Sequence, residues 1–223
     1  MHLKYPTHIL GSKGLYIAFC LTLNLLAVNT DAQTINLNGK AGGKNFDGVG
    51  AVSGGGATSV LLKDYPEVQR NQVLDLLFKP NFGASMNALL VEVPGDGNST
   101  QGAEPSHMHT KDDVNYDRGY EWWLMSEAKK RNKEITLDAN GWGCPGWVGN
   151  GVFWSQDMCD YYVKWIKGLK STYGLTLDAI GCRNEKGVSK DFVKKFRKTL
   201  DASACKMLKY MPLTTGEKIS LIG

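Results

Sequence analysis

Apolar positions along this chain switch repeatedly between a helical spacing and compact runs. In "YPEVQRNQVLDLLFK" the residues Val73, Leu74, Leu77 and Phe78 recur on one helical face, with Pro66 near the start. "GASMNALLVEV" is a dense apolar run closed by Pro94-Gly95, the pattern of a buried strand. "RGYEWWLMSEAKKR" then places Tyr120, Trp123, Leu124 and Ala128 together on a helix, and "EITLDAN" follows as a short strand. "DYYVKWIKGLK" sets Tyr162, Trp165, Ile166 and Leu169 on one face, "TLDAIGC" is strand-like, and "KDFVKKFRKTL" aligns Phe192, Val193, Phe196 and Leu200. Upstream, "KNFDGVGAVSGGGATS" is a short strand running into glycines. No lysine completes a phosphate loop there, so these glycines serve tight turning and close approach.

Strand then helix, four times, with no hairpin signals, predicts an α/β fold: a parallel sheet with helices outside it. A doubly wound open sheet and a (β/α)8 TIM barrel both fit that alternation. Both place their sites on the loops after the strands, and here those loops are the long, polar and aromatic ones. The lack of GxGxxG after the first strand argues against a dinucleotide fold. About four βα units make half a barrel.

The amino terminus is different in kind. Lys4 and Lys13 precede the uncharged apolar stretch "GLYIAFCLTLNLLAV", and Ala32 offers a small residue for cleavage. Residues 1–32 are therefore predicted to be a secretory signal peptide, the alternative being an uncleaved anchor. The composition of the whole chain is globular, 42% hydrophobic and 22% charged, and a net charge of +4 on scattered lysines leaves no nucleic-acid footprint. Cys144, Cys159, Cys182 and Cys205 form no CxxC, so a zinc site is unsupported. Asn98-Ser99-Thr100 is a glycosylation sequon, in keeping with a secretory route.

The strand-end loops collect the chemistry. Asp96, Asn98, Thr100, Glu104, His107 and His109 follow the second strand; Asp138, Asn140, Trp142 and Trp147 close the third; Asn184 and Glu185 follow the fourth. In a parallel sheet all of them converge on one rim. Indoles beside carboxylates and amides suit a sugar, whose apolar face stacks while its hydroxyls hydrogen-bond. Each has a plainer alternative: the tryptophans as caps on the core, the His107-x-His109 pair as loop residues without a third metal ligand, Glu92 as a structural strand residue. No GxSxG marks a serine nucleophile.

Several segments together are more specific. "FDGVGAVSGGGATS", "LFKPNFGAS", "GDGNSTQGAEPSHMH", "RGYEWWLMSEAKKRN" and "NGWGCPGW" resemble the galactosylceramidase (galactocerebrosidase) family in order and spacing, from about residue 44 to 202. The resemblance implies a retaining β-galactosidase whose TIM barrel carries glutamates after strands four and seven, with residues 40–204 as its amino-terminal half. It maps the acid/base onto Glu185, a contact to the sugar 2-hydroxyl onto Asn184, and further substrate contacts onto Thr100 and Trp142. It implies no cofactor or metal. The implied substrates are galactosylceramide and related galactosphingolipids, with a saposin-type activator, only peripheral contact with a lipid surface, and a secretory route to the lysosome or the exterior. Retaining hydrolysis needs two carboxyl groups about 5–5.5 Å apart, one kept protonated by its surroundings.

Two departures stand out. Arg183 occupies the position before Asn-Glu where the family has Trp, and a cation there favours an ionised acid. Beyond Leu200 the likeness ends, so residues 205–223 are expected to be an unmatched tail without a fifth strand unit. The nucleophile after strand seven is then outside these 223 residues, and the chain is expected to be a truncated, inactive fragment. The alternative is a non-catalytic secreted half-barrel that binds galactolipid or a partner.

Overall fold

A computed structural model describes residues 34–40, 42–43, 46, 48–54, 62–97, 104–187, 189–203 and 209–210. The expected signal peptide, the Asn98 sequon and Thr100 lie outside the described residues. The chain divides into residues 1–45 and a compact unit from Phe46 onward, which holds every element below.

Those elements are β1 (Gly50–Ser53), α1 (Glu67–Phe78), β2 (Ala88–Val93), α2 (Glu121–Arg131), β3 (Thr136–Gly141), α3 (Gln156–Tyr173), β4 (Ala179–Ile180), α4 (Lys190–Ala202) and β5 (Lys209–Tyr210). All strands pair in parallel, and their spatial order is their order in the sequence. A doubly wound sheet reverses its order at a switch point, whereas a barrel never does, so the order selects the barrel. The fifth strand corrects the expectation that none follows α4: Lys209 and Tyr210 pair with Ala179 and Ile180. Two residues are too few to show a period, which is why the tail carried no strand signal.

The parallel register separates the two faces of the sheet. Leu89, Val91 and Val93 of β2, Leu137 and Ala139 of β3, and Ile180 of β4 are buried in the core beneath the helices. Alternation turns Leu90, Glu92, Asp138 and Asn140 to the opposite face, which in a closed barrel is the interior.

Helix faces follow the periodicity closely in α4, where Phe192, Val193, Phe196 and Leu200 are all buried. In α2 the expectation needs one correction, because Trp122 and Met125 are buried while Trp123 is only half-buried. Trp122 packs across the next helix onto Trp165, with ring centroids 5.5 Å apart, as well as onto Tyr116 at 5.6 Å. A single-face reading of α2 misses this second, lateral burial. Gly168 makes it possible: a Cβ there would stand 2.4 Å from the Tyr116 ring and 2.7 Å from that of Trp122. Ser155 and Ser189 cap α3 and α4 by accepting from the amides of Met158 and Phe192, both at 3.3 Å. Gly174, at φ 68°, closes α3 in the left-handed conformation that glycine adopts without penalty.

Candidate active site

The carboxyl ends of β2, β3 and β4 meet on one rim. Glu92 lies in register with Asn140. Gly54 fits against the same glutamate, where a Cβ would approach its Cβ to 2.7 Å. Past β4 the ladder continues irregularly: the amide of Gly181 donates to Ala139 and that of Asn184 to Gly141, both at 2.8 Å. The Tyr162 hydroxyl, from α3, donates to the carbonyl of Cys182. Asn184 and Glu185 therefore leave the sheet beside Trp142, which follows Gly141 directly. Asn184 and Trp142 are half-buried, and Glu185 is exposed with φ 49°. An L-residue rarely holds that left-handed conformation outside a turn it is built into.

Arg183, the departure from the expected Trp, is turned onto an aromatic platform. Its guanidinium carbon stands 4.2 Å from the centroid of the Phe153 ring and 5.8 Å from that of Trp154.

The loop after β2 is pinned at both ends. Asp96, at φ 56°, accepts the Ser106 amide at 2.7 Å and pairs with His109 Nδ1 at 2.7 Å, while its own amide donates to Glu104. The Ser106 and Tyr161 hydroxyls are 2.6 Å apart, and Tyr161 also donates to the Pro94 carbonyl. Trp147 donates from its indole to the Met108 carbonyl at 3.0 Å, so this tryptophan anchors the loop.

Beneath the rim lies a set of buried ionisable groups that residue spacing alone does not mark. Glu92, Glu104, Glu121 and His107 are all buried. Ser53 donates to Glu121 at 3.0 Å, and Tyr120 donates to Glu104. Burial raises the Glu121 carboxyl well above its ordinary range, and the charges of Glu104 and Glu92 push it further up, against the Ser53 hydrogen bond. Asp138 rises to about 6 through burial and the neighbouring Asp178. His107 is lowered to about 3 by burial, with Lys164 and Arg118 adding repulsion; it packs against Tyr161 at 4.4 Å with neither ring nitrogen hydrogen-bonded. Asn140 is fully buried, and its amide has no hydrogen-bond partner among the described residues. Glu104 and His107 were expected on the loop after the second strand and Glu92 as a structural strand residue; Glu121 is the member of the set that the sequence reading did not mark.

Cys144 and Cys159 are free thiols, and burial pushes that of Cys159 up to about 12. Among the described residues no cluster of three or more metal-ligating side chains occurs, and no helix is long and apolar enough to cross a membrane.

A parallel sheet in sequential order, wrapped by helices, with an Asn-Glu pair at the end of its fourth strand, is the architecture of the barrel glycoside hydrolases. Glycosyl hydrolase family 59 matches residues 46–218, and the chain belongs to that family. Over 194 residues it is 50% identical to galactocerebrosidase of Salmo salar, covering 85% of this chain and 29% of that protein. It is 53% identical to the galactocerebrosidase of Homo sapiens over 171 residues, 75% of this chain and 25% of the other. The chain thus spans under a third of the length of these relatives. Among solved structures, an endo-beta1,6-glucanase superposes with a TM-score of 0.61 at 21% identity, covering 79% of this chain and 46% of the glucanase, which supports the fold.

Proposed function

We propose that these 223 residues supply the acid/base side of a retaining galactosylceramidase active site. Glu185 protonates the glycosidic oxygen and then deprotonates water, Asn184 holds the sugar 2-hydroxyl, and Trp142 with Thr100 lines the sugar pocket. The observation that carries this reading is the backbone bond from Asn184 to Gly141, which brings the Asn-Glu pair beside Trp142 on a rim shared with Asn140 and Glu92. Retaining hydrolysis requires a second carboxylate about 5–5.5 Å from the acid, and since the chain covers only 29% and 25% of these two relatives, we assign the nucleophile to the part of the family's barrel that these residues do not span. The substrate class is galactosylceramide and related galactosphingolipids; the setting is the secretory pathway and lysosome, with a saposin-type activator presenting the lipid.

The test is binding and turnover measured on the same preparation. The purified chain is expected to bind methyl β-galactoside with a change in tryptophan fluorescence and to release no galactose from galactosylceramide. Galactose release that disappears in Glu185→Gln would overturn the division of labour. Failure to bind any β-galactoside would overturn the galactosidase reading.

A further inference from the structure

Arg183 differs from every other arginine in the chain. Arg70 donates to the Lys63 carbonyl, Arg118 to Asp113 and the Ser106 carbonyl, Arg131 to Asp75, Glu127 and Asn71, and Arg197 to Asp201. Among the described residues Arg183 finds no acceptor, and its Nε is buried without one. The described ion pairs all lie elsewhere, at Asp96–His109, Asp113–Arg118, Glu127 with Lys130 and Arg131, Asp75–Arg131 and Asp201–Arg197.

A half-buried guanidinium without an anion is costly. Burying a polar donor without an acceptor forfeits its hydration with nothing in return, and more so when it is charged. Stacking on Phe153 and Trp154 recovers part of that through the ring quadrupoles, but it engages only the faces of the guanidinium plane. The N–H donors point outward from its edge, in a fork that matches the geometry of a two-oxygen acceptor.

The platform beneath it is itself packed against other rings. Phe153 and Trp154 meet edge-on at 5.0 Å, and Trp154 is wedged against Phe192 of α4 at 5.1 Å. Trp154 also immediately precedes Ser155, the cap of the 18-residue helix α3, whose amino end carries partial positive charge. Cys144 senses the same cation: burial raises its thiol, and Arg183 pulls it back. Stacking, an empty donor fork and a helix amino terminus converge one residue before Asn184 and Glu185.

We infer that Arg183 is an oxyanion-binding subsite, taking a sulfate or phosphate monoester group carried on the sugar or lipid that the neighbouring Asn184-Glu185 pair engages. The carrier rests on the galactosidase reading; the anion site itself rests on Arg183 and its platform. The Trp that the family resemblance leads one to expect at this position has no charge to offer an anion, whereas Arg183 does.

Calorimetric titration of the whole chain, at constant chloride, tests this with four probes: sodium sulfate, inorganic phosphate, methyl β-galactoside, and the sulfate monoesters of methyl β-galactoside. At least one monoester is expected to bind tenfold or more tighter than the neutral galactoside and tighter than free sulfate or phosphate. In Arg183→Met, which keeps the apolar stem, that preference is expected to fall within twofold of unity. Arg183→Lys, which keeps the charge but not the fork, is expected to lose at least threefold of it, and decides the matter where the methionine variant does not fold.

Equal affinity for ester and neutral sugar in the wild type would overturn the inference, as would a preference that survives in both variants. Free sulfate held as tightly as the ester would overturn the assignment to a substrate group. Binding of the ester with no binding of the neutral galactoside would instead sink the galactosidase reading and leave the anion site standing.

Discussion

The amide of Asn184 donates to the carbonyl of Gly141 at 2.8 Å, two residues beyond the last formal pairing of β3 with β4, which is Ala139 with Ile180. That bond carries the fourth strand to the rim and sets the Asn-Glu pair next to Trp142. In the proposed site the carboxamide of Asn184 holds a sugar hydroxyl. Replacing it in Asn184→Ala removes one hydrogen bond to a neutral ligand, about 1 kcal/mol, so β-galactoside affinity should fall roughly five- to tenfold. Titration against methyl β-galactoside checks this, and unchanged affinity would remove Asn184 from the pocket.

His107 makes the fold sensitive to acid. Its folded-state pKa, about 3, lies below its ordinary value of 6.5, so its contribution is fully present above pH 6.5 and is lost as pH falls toward 3. At pH 4.5 the loss is about 2–3 kcal/mol, at 1.36 kcal/mol per pH unit. His107→Phe keeps a ring against Tyr161 and removes the titration. Its melting temperature should gain on wild type as pH drops from 7.5 to 4.5; a difference that does not vary with pH would refute the assignment.

Glu121 acts in the opposite sense. Burial and the nearby Glu104 and Glu92 raise its folded pKa, so its contribution is complete below the ordinary glutamate value and is lost as pH rises through the raised one. Glu121→Gln retains an acceptor for Ser53 and carries no charge. It should raise the melting temperature at pH 7.5 and change it little at pH 4.5. Equal effects at both values would mean that the carboxyl is not held protonated.

Gly168 is where α3 packs closely under the rings of Tyr116 and Trp122. Gly168→Ala drives a Cβ into the rings of Tyr116 and Trp122, neither of which can swing away within the stack of Trp122 on Trp165. Overpacking of this kind costs about 1–3 kcal/mol, beyond anything the better helix propensity of alanine returns. Urea denaturation should show the loss as a lowered midpoint with an unchanged slope.

Much of the architecture was legible as spacing. The period of α4 placed Phe192, Val193, Phe196 and Leu200 in the core because that helix buries a single stripe, and local periodicity reports a single stripe faithfully. The compact runs marked β2 and β3 for the same reason. The position of Glu185 after a fourth strand, and its neighbour Asn184, were likewise readable from order along the chain. Trp122 was not, because its burial comes from Trp165 and Tyr116, which approach from outside the helix's own period. Nor was β5, whose two residues are recognised only by the strand they pair with.

What the sequence determined by itself was the alternation of strands and helices, the rim on which the polar loops gather, and the family motif ending in Asn184-Glu185, since each is written in neighbouring residues. What only the tertiary structure decided was strand order, and with it the choice of a barrel, and the environment of each charge. The Glu121 carboxyl is raised because burial removes its water and because Glu104 and Glu92 come from separate segments to stand near it. Arg183 becomes a cation stacked on Phe153 with its donors unspent, because the third-strand loop crosses beneath the end of the fourth. Desolvation and Coulomb interaction act through space, and their partners here are separated by between 17 and 30 positions along the chain, beyond the reach of any local pattern.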